Sequence, residues 1–170
     1  MPQKNDYVNY STYGICKIED ICFMKFDSSP KGRNYYILKP VHQNQATIFV
    51  PVDNQKQVDC MRPVLSPKEV DNLILSTKVE NLLWISDRKQ RSAEFQRILY
   101  KRDERELLQL ISCLYLKAKE SEKGLSATDL RILRKAESII EQEFSFSLKT
   151  STQNISNYVR EKLGLEEINA

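Results

Sequence analysis

The 170-residue chain has one histidine, one tryptophan, four glycines and four cysteines, and each scarcity excludes something. A structural zinc site needs clustered thiolates or imidazoles, and His42 has no second imidazole to join. Cys16, Cys22, Cys60 and Cys113 form no C-x-x-C pair. A chain of this length builds a core without covalent staples, so free buried thiols are expected, not a disulfide framework. With so few glycines there is no G-x-x-x-x-G-K-[ST], no G-x-G-x-x-G and no G-x-S-x-G, which removes the nucleotide cradles and the nucleophile elbow. No run approaches the ~18 apolar residues of a membrane span, and the start MPQKNDYVNY has no signal-like apolar core, so a cytoplasmic protein is expected. Charge of one sign is also missing. Twenty-six Lys and Arg against 23 Asp and Glu leave a net +3, which permits local contact with nucleic acid without arguing for it.

What is present falls into two parts with different patterning. Residues 7–62 hold short segments rich in Tyr, Ile, Val and Phe: YVNYSTYGICKIEDICFMKF, RNYYILKPV and ATIFVPVDN. Turn signals separate them at Ser28-Ser29-Pro30-Lys31-Gly32, His42-Gln43-Asn44-Gln45 and Asp53-Asn54, with Gly14 supplying a further turn or a close backbone approach. Strands this short and closely spaced fit a small closed or half-closed barrel. From Ser66 the period becomes helical. SPKEV offers a Ser cap, Pro67 at the first position and Glu69 at the third, predicting a helix over 66–77. Ser86 is expected to cap a second helix to about residue 102, and Asp103 with Glu106 a third carrying Leu107, Leu108, Ile111, Leu114, Tyr115 and Ala118. Gly124 ends it. Ser126 and Asp129 open a fourth, with Leu130, Leu133, Ala136, Ile139, Ile140 and Phe144 on one broad face, and an amphipathic helix fits 152–163. The chain is therefore read as α+β: a β domain over 1–64, then an all-helical bundle over 65–170.

Few residues offer chemistry. Glu19 and Asp20 are adjacent, so on a strand they point to opposite faces and do not converge on one atom. His42 sits in a polar turn. Cys16 and Cys22 share a face if their strand is regular, and core thiols are the plain reading. Trp84 is more informative. Tryptophan is highly buried on average, which favours a core or domain-interface role. Its flat apolar body also suits insertion against nucleobases. Arg88 and Arg91 follow it at helical spacing, so if the helix begins near 84–86 they lie on its side, with Lys89 rotated away. Such a face can touch a base step and its flanking phosphates together, although Asp87 and Glu94 dilute it.

Several ordered segments resemble one bacterial family. Tyr10-Ser-Thr-Tyr-Gly14, Ile18-Glu19-Asp20-Ile21, Tyr35-Tyr36-Ile37-Leu38-Lys39, Thr47-Ile48-Phe49-Val50-Pro51-Val52-Asp53-Asn54 and Met61-Arg62-Pro63 are similar to the RNA-polymerase-interacting domain of CarD-type transcription regulators. Trp84 with its following cations, and GLSATDLRILRKAESIIEQE at 124–143, resemble that family's DNA-facing helical domain. The resemblance spans roughly residues 7–148. It implies a Tudor-like β-barrel on the β subunit of bacterial RNA polymerase, and a helical domain held against promoter DNA at the upstream edge of the melted bubble. There Trp84 would wedge into the minor groove and slow collapse of the open complex, while Arg88, Lys89 and Arg91 contact phosphates without reading sequence. Two positions where members often carry polymerase-facing arginines hold Met24 and Phe49 here. Together with Phe26 they imply a polymerase contact leaning on apolar packing and strand-edge pairing more than on ion pairs, while Met24 and Phe49 fit core positions equally. The stretch from Trp84 to Asp103 is about four residues longer than in typical members, roughly one helical turn.

No enzymatic activity, cofactor or metal is expected, and a monomer is. The competing reading is a barrel-plus-bundle protein–protein adaptor that never touches DNA, with Trp84 buried at the domain interface. A thiol-dependent enzyme using Cys16 or Cys22 is a third class. A fragment of a transcription-repair coupling factor, which carries a similar barrel, fits less well because no helicase motif is present.

Overall fold

Gly14 is where the first apolar stretch breaks. Its φ of 72° lies in the left-handed region open to glycine, and a short 3-10 turn over Ser11–Tyr13 leads into it. The break separates β1 (Tyr7–Tyr10) from β2 (Gly14–Phe26) and folds them into an antiparallel pair. β3 (Ser29–Pro40), β4 (Ile48–Pro51) and β5 (Met61–Pro63) complete a five-stranded antiparallel sheet of order β4-β3-β2-β1-β5. One turn of helix, α1 (Gln55–Val58), capped by the Asn54 side chain, joins β4 to β5. The computed structural model describes residues 2–26, 29–42, 46–80 and 82–168. The chain divides into two units, Met1–Val64 and Leu65–Ala170.

One face of the sheet carries the N-terminal core: Val8, Tyr10, Cys16, Ile18, Tyr36, Leu38, Val50 and Met61. Closure into a barrel is not established by this pairing, since β4 and β5 form the two ends of the strand order. Two expectations change. Ser29–Gly32 belongs to β3, so the turn signal placed there marks the start of a strand, and Ser28 lies outside the described residues. Of the next turn, Gln43, Asn44 and Gln45 also lie outside them. β2 is not regular, either: its register against β3 shifts between Ile18 and Asp20. A bulge reverses the alternation beyond it. Cys16 therefore faces the core opposite Pro40, whereas Cys22 pairs with Tyr35 on the other face.

The helical unit follows its capping signals closely. α2 (Pro67–Thr77) opens with a full capping box, in which the Glu69 carboxylate accepts the Ser66 N–H at 2.7 Å. The Ser66 hydroxyl and backbone hold that carboxyl below its ordinary range. α3 (Arg88–Lys101) starts one residue later than expected because Asp87, not Ser86, accepts the Gln90 N–H at 2.8 Å. It ends at Arg102 in the left-handed conformation. α4 (Glu104–Glu120) is capped by Asp103, α5 (Ala127–Leu148) by Ser126, and α6 (Thr152–Leu163) closes the bundle. Val70 and Ile74 of α2, Phe95 and Ile98 of α3, and Leu107, Leu110, Ile111 and Leu114 of α4 join Leu133, Ala136, Ile140 and Phe144 of α5 and Ile155 and Val159 of α6 in one core. Leu130 and Ile139 sit at its half-buried rim, not inside it. Among the described residues no helix is long and apolar enough to cross a membrane.

Candidate functional site

Trp84 stands in the loop that leads into α3, half-buried, with its ring edge-to-face on the buried Phe95 at 6.3 Å. Helix formation explains this position. Asp87, itself extended, caps α3, and in the segment before it Leu82 and Trp84 turn toward the core while Leu83 projects outward, 82% exposed. The Trp84 ring is not bare. The Arg91 guanidinium lies 4.4 Å from its centroid and the Lys117 ammonium 5.3 Å away, both within cation–π range.

Arg91 behaves differently from the expectation that it faces phosphates. It is 8% exposed. Its Nη1 donates to the carbonyl oxygens of Ile85 at 2.9 Å and Ser86 at 3.2 Å, and Nε and Nη2 donate to the two Asp129 carboxylate oxygens at 3.4 and 3.3 Å. Asp129, itself buried, also accepts the Ser126 hydroxyl at 2.7 Å. A guanidinium with its fork filled this way has little left to offer a solvent anion. Arg91 thus belongs to the interior of the site, because one turn into α3 its side chain meets the start of α5.

Arg88 and Lys89 are exposed. With Arg91, Ser92 and Gln96 of α3 and Ser126, Thr128 and Asp129 at the start of α5 they line an open groove of about 560 Å³. Of the four residues expected to meet DNA, Arg88 and Lys89 are exposed at the head of α3, Trp84 is half-buried, and Arg91 is turned inward.

In the sheet unit, Met24, Phe26 and Phe49 share the face opposite the core. Met24 pairs with Arg33 and Phe49 with Ile37. The far end of the β2–β3 hairpin curls so that the Phe26 ring meets Tyr35 at 5.2 Å and Phe49 at 5.4 Å, both edge-on. The Arg33 guanidinium lies 5.8 Å from the Tyr35 ring and pairs with Asp53 at 3.4 Å. Phe49 is 39% exposed, on the terminal strand β4. Phe26 and Phe49 therefore form an aromatic patch beside a strand edge, with Met24 on the same face of the sheet, and none of the three belongs to the core cluster.

Residues 3–65 match the family model described as the CarD-like/TRCF RID domain, which spans almost the whole sheet unit. The N-terminal unit is similar to CarD-like RID domains. The match supports an RNA-polymerase-interacting transcription factor. No curated protein matches the chain significantly.

The two N-terminal cysteines do not share one site. Cys16 is fully buried in the core and the Cys22 side chain lies across the sheet from it. Among the described residues no group of three or more His, Cys, Asp or Glu could hold a metal ion. Asp129, Lys117 and Leu83 were not singled out from sequence. Asp129 was read only as part of a helix start, its contact with Arg91 lying 38 residues away along the chain.

Proposed function

We propose that this protein is a non-enzymatic, monomeric, cytoplasmic transcription regulator. Its RID domain binds the β subunit of RNA polymerase, and its helical unit meets promoter DNA at the upstream edge of the bubble, prolonging the open complex. The observation that carries the reading is a lone tryptophan, half-buried just ahead of a helix whose first two residues, Arg88 and Lys89, are exposed, in a chain whose residues 3–65 match the RID model. An apolar wedge favours base steps already unstacked by melting, so no base need be recognised. A weak cationic surface suffices, because a polymerase-bound regulator is already concentrated at promoters. On the sheet, the Met24–Phe26–Phe49 patch and the β4 edge suit apolar docking joined to strand addition.

The test is the lifetime of open complexes formed by the cognate polymerase, with the wild type or Trp84→Ala. Prolongation by the wild type that a folded variant abolishes supports the wedge. The Trp84–Phe95 contact favours a second reading, an adaptor in which Trp84 serves packing alone. That reading predicts no change in lifetime from either protein and a marked loss of stability in the variant.

A further inference from the structure

We infer that Arg91 and Asp129 act as a positioning clamp for Trp84, presetting the wedge before DNA arrives. The inference rests on the proposed role of Trp84 and deepens it. Three elements meet at one buried guanidinium: the loop carbonyls of Ile85 and Ser86, the carboxylate of Asp129 at the start of α5, and the face of the Trp84 ring. Arg91 and Asp129 are 8% and 5% exposed, so the pair is held in the low-dielectric interior. Ser126 holds Asp129 in turn, its hydroxyl donating to the carboxylate at 2.7 Å while accepting the Asp129 N–H at 3.1 Å. The chain of contacts runs from the cap of α5 through Asp129 and Arg91 to the ring.

The purpose follows from loop physics. Residues 82–86 lie between α2 and α3 outside any helix or strand, and such a segment samples many conformations unless something ties it. A wedge that must be ordered on binding loses affinity to that ordering, and one held in place beforehand does not. Arginine suits the task because a planar fork bonds carbonyls and carboxylate in its plane while its face stacks on an indole. Lysine at 91 would keep the charge without supplying both.

Trp84 is the only tryptophan, so its fluorescence reads the clamp directly. Asp129→Asn keeps shape and removes the charge, and Arg91→Lys keeps charge and removes the fork. Both variants, shown folded by circular dichroism, are compared with wild type well below the melting transition, in three measurements. These are acrylamide quenching of Trp84, its fluorescence anisotropy, and open-complex lifetime. The expected result is quenching raised about twofold, lower anisotropy, and an open-complex lifetime shortened about fivefold to tenfold toward the Trp84→Ala value, the size of one lost ordering interaction. A merely structural pair would lower the melting temperature and leave quenching and anisotropy of the folded variants unchanged, and that result would overturn the clamp. Altered fluorescence together with no effect of the wild type on lifetime would uphold the clamp and sink the wedge reading instead.

Discussion

Replacing Phe49 with alanine separates the two faces of the RID domain. Phe49 is 39% exposed, so about three-fifths of the side chain is out of water. Full burial of a phenylalanine contributes about 1.5–3 kcal/mol, which scales here to ~1–2 kcal/mol. The edge-on contact with Phe26 adds about 0.5–1.5 kcal/mol. Phe49→Ala is therefore expected to cost ~1.5–3 kcal/mol in urea unfolding of the full chain. Phe23 is the matched control. It alternates to the opposite face, pairs with Asn34, packs over Gly32 and is 60% exposed. Its truncation should cost roughly 1 kcal/mol or less. Affinity for immobilised RNA polymerase decides the functional part. Phe49→Ala should weaken it about tenfold, equivalent to ~1.4 kcal/mol for an apolar anchor, while Phe23→Ala leaves it unchanged. If Phe23→Ala weakens polymerase binding and Phe49→Ala does not, the docking face has been assigned to the wrong side of the sheet.

Two further outcomes follow from the helical unit. Arg88→Ala and Lys89→Ala should each flatten the dependence of promoter binding on log salt by about 0.9, one phosphate contact apiece. A slope unchanged in both would remove them from the DNA surface. Alkaline stability tests the core. The buried Tyr115 hydroxyl donates to Glu137 at 2.6 Å, and burial, then that carboxylate, raise its pKa above the ordinary 10.0. A group with a raised folded pKa stabilises fully below its unfolded value and loses that contribution as pH climbs toward the folded one. Melting temperature should therefore fall from about pH 10 upward in the wild type. Tyr115→Phe should begin lower and decline less over that range, and an equally steep decline would show that Tyr115 is not the titrating group.

Local sequence rules carried the helical half because caps act within one turn. Ser66 with Glu69, Asp103 and Ser126 each terminate a helix through bonds spanning three residues, and such bonds are visible as spacing. Ser86 and Asp87 are both capable caps, and the choice between them was not local. Arg91 occupies the Ser86 carbonyl, and it does so because Asp129, across the bundle, holds its guanidinium. The same distance hid the inward turn of Arg91: at its spacing from Trp84 it reads as one of three surface cations, and only the packing of α3 on α5 makes it a buried partner. In the sheet, composition and turn residues marked the strands, but alternation assumed regularity. The bulge after Ile18 sends Cys22 away from Cys16, and the curl of the β2–β3 hairpin gathers Phe26 with Phe49 from strands that are not neighbours. By itself, then, the sequence determined which segments become strands and helices, where most helices begin, and that the lone tryptophan precedes a cationic helix. The tertiary structure alone decided which face each side chain occupies and which cation braces that tryptophan, because those depend on contacts closed between residues tens of positions apart.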